Sequence, residues 1–366
     1  MFKAIKLKLY PNKAQRSLID QTLGCCRFVY NWGLEKRIAD YNNGVKTGYC
    51  QTSKMLTELK HTAEFSFLKT CEAVALQESL RDLDRAYINF FEKRAKHPCF
   101  KSKHNHRQSY RTRNMNNDIH VEGKHIRLPK LGFIKIRQTV KNTNIRYVTI
   151  EKLPSGKYFA VLIVKFEPKP HPNKGGQIGI DLGIKRYYTD SNGNVVENPK
   201  SLKQNLKQLA RAQHSLSRKE KYSQNFIKQR KRVATIYEKI SNRRNDFLQK
   251  LSSTLISENQ VICIEDLKPA NMIKNRHLAR EISDVAWGTF RRMLEYKSDW
   301  YGNKLVVIPR LYPSSQLCSH CGFKNPDVKN LAVRTWTCPQ CNTVHDRDHN
   351  ASVNILKYGL QMLAVS

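Results

Sequence analysis

The sequence predicts a multidomain α+β protein, and three observations carry that prediction. The chain has 366 residues, room for two or three domains at roughly 100–200 residues each. Its hydrophobic period switches between strand-like and helix-like more than once along the chain. Four cysteines stand as two Cys-x-x-Cys pairs in the last fifty residues or so, a spacing that builds a small metal-held domain.

Taken in order, residues 2–9, FKAIKLKL, place Ile5, Leu7 and Leu9 on one face and Lys6 and Lys8 on the other; this is a half-buried strand ended by Pro11. From about 13 to 95 the period is helical, with Leu76, Leu80, Leu83, Tyr87 and Phe91 in steps of three and four, the pattern of a small helical bundle. Residues 93–113 hold eight Lys/Arg, three His and no acid. Such a run is commonly a solvated loop, but Phe100, Gln108 and Tyr110 within it point to a nucleic-acid contact. From 119 to 166 short alternating stretches return, including IRLPKLGFIKIRQ, YVTI and KYFAVLIVKF, with Gly and Pro between them, as in a small β-barrel. The isolated first strand then joins this barrel and the helical bundle is an insertion into it. PKPHPNKGG, 168–176, is a linker.

A third region begins at Gln177. Residues 201–250 carry fourteen Lys/Arg and three acids, with Leu202, Leu206, Leu209 and Leu216, then Val233, Ile236, Ile240 and Phe247, at helical spacing. Two basic amphipathic helices follow, packed by one face and presenting the other to phosphates.

The charge balance narrows the function. Lys+Arg 65 against Asp+Glu 30 gives +35, with a pI near 9.9. Charge of one sign at this level repels itself and calls for a polyanion, here nucleic acid. The longest apolar run, Phe159–Val164, is far too short to span a membrane, and MFKAIKLKLY has no signal-peptide core. The expected setting is a reducing cytoplasm, because four of the ten cysteines pair as Cys-x-x-Cys and point to a metal site before disulfides.

Cys318, Cys321, Cys338 and Cys341 read Cys-x2-Cys-x16-Cys-x2-Cys. Two thiolate knuckles close a tetrahedron around one ion, the spacing of a structural zinc ribbon with no open position for catalysis; an Fe–S cluster is the alternative. His320 and His345 are not required as ligands. The ribbon either holds nucleic acid or braces its neighbour.

Three acids stand at the edges of apolar elements: Asp181 in GQIGIDLGIK, Glu265 at the end of NQVICIED, and Asp348 in HDRDHNAS ahead of a helical stretch. A carboxylate within an apolar strand is costly unless it is paired or metal-bound. Three of them, in so basic a chain, fit hard divalent cations that also bind phosphate, the arrangement for two-metal phosphodiester hydrolysis.

With these residues in view, GIDLGIKRYYTDSNG, ICIEDLKPANM, SSQLCSHCGFKNPDVKNLAVRTWTCPQCNTVHDRDHNAS and KLYPNKAQRSLIDQTLGCCRFVYNWGL resemble TnpB, the transposon-encoded RNA-guided DNA endonucleases also known as OrfB-type transposases and related to type V CRISPR effectors. The resemblance spans nearly the whole chain. It implies an RNase H-like (RuvC) nuclease domain (173–312) with an inserted zinc ribbon (313–344) and a last RuvC motif and helix (345–366). It also implies an N-terminal wedge barrel (1–12 and 116–172) carrying a helical recognition insert (13–115). The implied catalytic and magnesium (or manganese) ligands are Asp181, Glu265 and Asp348; the implied partners are guide RNA and target double-stranded DNA. KPANMIKNRHLAREISD, 268–284, resembles the loop that gates this site. Tyr49, Ser53, Gln77 and Asn116 are candidates for reading a short motif beside the target. Lys101, Lys103, Arg107, Arg111, Arg230, Lys231, Arg232, Arg243 and Arg244 are candidate nucleic-acid contacts. Two other readings stand beside this one: an RNase H-fold transposase acting directly on transposon DNA, and a non-enzymatic zinc-ribbon nucleic-acid-binding regulator.

Overall fold

Strand β1 (Phe2–Tyr10) buries Leu7 and Leu9 on one face and sets Lys6 and Lys8 on the other, as its alternation requires. The structure is a computed structural model and describes residues 1–104, 108–140, 144–168 and 175–365. The chain divides into two units, Met1–Glu167 and Pro168–Ser366.

In the first unit, β1 leads into helix α1 (Lys13–Asn42), which begins with a reciprocal cap: the Asn12 side chain accepts from the Gln15 N–H at 2.8 Å and the Gln15 side chain from the Asn12 N–H at 3.0 Å. Helices α2 (Tyr49–Leu59) and α3 (Ala73–Phe91) complete the bundle, with Leu76, Leu80 and Leu83 fully buried on the inner face of α3. Six strands follow: β2 (Gln108–Arg113), β3 (His120–Glu122), β4 (His125–Leu128), β5 (Gly132–Ile136), β6 (Asn144–Lys152) and β7 (Tyr158–Lys165). They form one antiparallel sheet with β1, in the order β2-β6-β7-β1-β5-β4-β3. The first strand therefore lies inside the sheet, with Ile5 opposite Leu162 and Leu7 opposite Ala160, and the three helices are inserted in sequence between β1 and β2.

One reading of the basic run 93–113 needs correction. Its end is strand β2, not loop, and Tyr110 is buried, 6% exposed, and so cannot stack on a base. The strand's inward residues, Tyr110 and Thr112, alternate with Arg111 and Arg113, and so short an alternation is lost among neighbouring cations.

In the second unit, β8 (Gly176–Leu182), β9 (Arg186–Asp190) and β10 (Val195–Glu197) form an antiparallel meander. Helices α4 (Leu206–Ser217) and α5 (Gln224–Glu258) then pack through Leu209, Ala212, Val233, Ile236 and Ile240, a core of their own. Next come β11 (Asn259–Glu265), α6 (Pro269–Met272), α7 (Ala279–Val285), α8 (Trp287–Tyr301) and β12 (Lys304–Ile308). Sheet order is β10-β9-β8-β11-β12, with β8, β11 and β12 parallel. The ribbon strands β13 (Thr335–Thr337) and β14 (Val344–Asp346) pair with each other, and α9 (Arg347–Val365) ends the chain. Ile262 and Ile264 of β11 join the core under α5 and α8, while Val261 and Cys263 join the one under α9. A strand covered on both faces reads as an apolar run rather than an alternation, which is why VICI looked unbroken. No helix among the described residues is long and apolar enough to cross a membrane.

Candidate active site and metal ribbon

β8 and β11 are parallel, with Ile180 opposite Ile264. The next residue on each strand is an acid, so Asp181 and Glu265 stand side by side at the carboxyl edge of the sheet, the usual place for ligand groups in such sheets. The third acid arrives on α9, which lies directly on β8. A side chain at Gly179 would run into the Ser352 carbonyl oxygen and Leu356 of α9. Glycine here permits the close approach that carries Asp348, in the first turn of α9, to the same edge.

The electrostatics fit a cation site. Burial pushes the Asp181 carboxyl well above its ordinary range, the charges of Glu265 and Asp348 push it further, and Arg347 and Arg334 oppose them. Burial also raises Glu265, against a hydrogen bond donated by the Ser314 hydroxyl. Arg334 Nη1 lies 3.2 Å from Asp348 Oδ1. Asp346 plays a different part. Its Oδ1 accepts from the backbone N–H groups of Asp348 and His349, both at 3.0 Å, and so caps α9. Its ion-pair partner is Arg186, at 3.7 Å, whereas Arg347 turns to the Asn330 carbonyl. Asp181, Glu265 and Asp348 thus come from three elements to one edge, and hold oxygen ligands suited to magnesium.

In the ribbon, the sulfurs of Cys318, Cys321, Cys338 and Cys341 lie within 4.8 Å of one another. Tetrahedral ligands on zinc at about 2.3 Å stand about 3.8 Å apart; the Cys318–Cys341 and Cys321–Cys338 pairs are 3.6 Å apart. The knuckles are built alike. The N–H after each second cysteine, on Gly322 and Asn342, donates to the carbonyl of Cys318 and Cys338 at 2.9 Å, with φ at +81° and +56°, a left-handed turn that glycine and asparagine tolerate best. The donor set fits zinc. His345 lies outside that set but beside it, its Nε2 3.0 Å from Cys318 Sγ and its ring on Trp336 at 4.8 Å. Burial, together with His320 and His349, holds its pKa down.

Sequence reading missed the bonds that join the ribbon to α9. Asn350 accepts from the Ser319 N–H at 2.8 Å and donates to the Leu317 carbonyl at 2.7 Å; one turn on, Asn354 donates to the Ser314 and Leu317 carbonyls at 2.8 and 2.7 Å. The ribbon thereby braces the carboxylate edge: Leu317 and Ser319 flank Cys318, α9 carries Asp348, and Ser314 binds Glu265. The only visible signal was polar residues at i and i+4 on an otherwise apolar helix face.

The candidate nucleic-acid contacts are dispersed. Arg230, Lys231, Arg232 and Arg243 are exposed or partly exposed on α5. Arg244 is not free: it pairs with Asp284 of α7 at 2.7 Å, and Asp284 also accepts from the Leu202 N–H. Lys101 places its ammonium over the Tyr30 ring at 3.7 Å, and the Lys103 carbonyl accepts from Gln108. Tyr49 lies under the Arg81 guanidinium at 4.3 Å. Ser53 is half-buried, Gln77 and Asn116 are exposed, and Asn116 has φ +54°. Arg111 lines a cavity with Glu78. Arg107 lies outside the described residues.

Comparison with known proteins places this architecture. A family model described as "Probable transposase" matches residues 160–276, one described as "Cas12f1-like, TNB domain" matches 287–355, and one described as "Helix-turn-helix domain" matches 1–46. Over 1–46 the structure holds β1 and the single helix α1. A Streptomyces pristinaespiralis protein named "Putative RNA-guided DNA endonuclease" is 41% identical, covering 98% of this chain and 89% of its own. An Escherichia coli protein named "Putative RNA-guided DNA endonuclease InsQ" is 33% identical, covering 99% and 93%. Among solved structures, a chain of the Cas12f1–sgRNA–target DNA complex superposes with a TM-score of 0.55 at 13% identity, covering 97% of this chain and 98% of that one, a likeness of fold. With such identity over nearly its full length, the chain belongs to the TnpB-like family of OrfB/IS605 transposon-encoded RNA-guided DNA endonucleases.

Proposed function

We propose that this protein is a guide-RNA-dependent, Mg²⁺-dependent DNA endonuclease of a mobile element, cutting target DNA beside a short duplex motif through one site formed by Asp181, Glu265 and Asp348. The observation that carries the reading is the meeting of three acids, from β8, β11 and α9, at one sheet edge in a chain of charge +35. In this reading the five-stranded sheet with α9 is a RuvC-type RNase H fold, and the seven-stranded sheet is a wedge barrel carrying α1–α3 as its recognition insert. The protein works in the cytoplasm, at the nucleoid.

Asp181, Glu265 and Asp348 would hold magnesium or manganese, which would supply Lewis acidity for activating water and offset charge on the scissile phosphate. The chain's residues set the geometry. Parallel register fixes Asp181 beside Glu265, and Ser314 holds one Glu265 oxygen. Asp346 fixes the start of α9, hence the place of Asp348. Arg334 brings a guanidinium to Asp348, where it is available to an incoming phosphate oxygen. Segment 268–284 gates the edge, tied to α5 through Asp284 and Arg244. Sequence is read by the guide through base pairing.

The test is cleavage of a matched duplex by the purified protein with its copurified RNA. Cutting should need both Mg²⁺ and the RNA, and a changed guide should redirect it. Equal cutting of the same duplex by RNase-treated, guide-free protein would overturn guide dependence.

A further inference from the structure

In the first unit a cavity of about 380 Å³ opens between α3, β2 and β6, lined by Glu78, Arg85, Arg111, Arg113, Met115, Arg146 and their neighbours. Four arginines face one carboxylate. That carboxylate is 3% exposed, and it is the hub of the cluster. Arg113 Nε donates to Glu78 Oε1 at 2.6 Å, Arg81 Nε lies 3.4 Å from the same oxygen, and Arg111 Nη1 lies 3.9 Å from Oε2 and 3.4 Å from Asp82. The Arg111 guanidinium also stacks on Tyr147 at 5.3 Å, and its buried Nε has no partner among the described residues. Arg113 is held by its Nε alone, so its two Nη groups remain free among the described residues, on a side chain 46% exposed. Arg85 and Arg146 are exposed at the rim and make no ion pair among the described residues.

A buried carboxylate among so many guanidiniums has two explanations. It offsets their charge so that the unit folds, or it fixes their posture. The geometry separates these. Glu78 takes the Nε edge of Arg113 and leaves the Nη edge outward, which is the half that grips a phosphate with two parallel bonds. Met115 and Tyr147 give the cavity an apolar wall of the kind that a sugar or base face covers.

We propose that this cavity is a seat for a nucleic-acid backbone phosphate, with Arg111 and Arg113 as its fork, Arg85 and Arg146 as its rim, and Glu78 as a positioning residue that presets the fork. The proposed nuclease function enters only as the source of the phosphate: guide RNA and target duplex both carry it, and the two arms of the test tell them apart.

The experiment uses the full-length protein purified with its RNA. One arm measures retention of that RNA as salt is raised; the other measures affinity of the RNA-loaded protein for a labelled target duplex. Arg113→Lys keeps the charge and loses the fork, and should weaken one arm roughly tenfold, the scale of one charge-assisted contact. Arg85→Gln should lower the salt slope of the same arm by about one. Glu78→Gln is the discriminating variant. Removing a negative charge beside a polyanion should tighten binding if Glu78 only balances charge; if it presets the fork, binding should weaken. Lys46→Gln, an exposed cation away from the cavity, should leave the duplex arm and thermal melting unchanged. If Glu78→Gln melts early, Arg113→Lys and Arg85→Gln decide, Arg85 because its side chain is exposed and makes no ion pair among the described residues, and Arg113→Lys because it keeps a cation beside Glu78. Tighter binding by Glu78→Gln, or wild-type behaviour of Arg113→Lys and Arg85→Gln in both arms, overturns the proposal. Wild-type protein that holds no RNA and binds no duplex overturns it together with the nuclease reading, whereas intact wild-type cleavage with insensitive variants overturns the cavity alone.

Discussion

The Asp346 carboxylate accepts hydrogen bonds from the backbone N–H groups of Asp348 and His349, while Asp348 directs its own carboxylate toward Arg334 and the sheet edge. Two acids two residues apart are therefore held differently, Asp346 as a helix cap and Asp348, the proposed metal ligand, beside Arg334. Asp348→Ala should abolish Mg²⁺-dependent cleavage with RNA and duplex still bound. Asp346→Ala should retain appreciable cleavage and lose about 1 kcal/mol of stability, the usual cost of a lost helix cap. Cleavage assays and thermal melts on both variants check this; normal cutting by Asp348→Ala would reassign the site.

Zinc removal should act at a distance. Cys338→Ser should lose the ion and the knuckle with it, because metal binding and folding share one free energy here. Cleavage should fall although no carboxylate has changed, since Leu317, Ser319 and Ser314 lose their fixed positions. Elemental analysis showing no zinc in active wild-type protein would end the zinc assignment.

The brace itself is testable with zinc left in place. Asn350→Ala strips the Ser319 N–H and the Leu317 carbonyl of a buried partner, a cost on the order of 1–3 kcal/mol. Zinc content should stay at wild-type level and cleavage should drop. Unchanged cleavage would show that Asp348 is placed without the ribbon.

In metal-free buffer the carboxylate edge should be a source of instability. The folded Asp181 carboxyl is raised by burial and by Glu265 and Asp348. An acid whose folded pKa lies above its unfolded one contributes stability below the unfolded value and loses it as pH rises through the folded value. Melting in EDTA should therefore fall as pH rises from acid through neutral, and Asp181→Asn should flatten that fall and melt higher at neutral pH. Magnesium should raise the wild-type midpoint by binding only the folded form, and Asp181→Asn much less. A variant melting below wild type in EDTA would count against the charge cluster.

Much of this was legible residue by residue. The β1 alternation, the helical spacing of Leu76, Leu80 and Leu83, and the two cysteine knuckles each announce a local structure. The three acids announce themselves by standing at the ends of apolar elements, but their common edge is a matter of strand register that no single segment contains. Gly179, Ser314, Arg334, Asn354 and Glu78 were silent for the same reason. Each matters through a contact with a residue distant in sequence, and a lone Gly, Ser, Asn or Glu carries no periodic signal. Strand β2 was hidden differently, its two inward residues lost among the cations between them.

The position of β1 also sets an order of events on the ribosome. Its partner across the sheet is β7, so Leu9 meets Tyr158 only after three helices and five further strands have been synthesised. Until β5 emerges the strand has both edges unpaired, and until β7 follows its longer edge stays open, a template for aggregation, and pairing this distant in sequence is slow to form. The lysines at positions 3, 6 and 8, which look like surface decoration in the finished sheet, are the charges that guard such a strand while it waits.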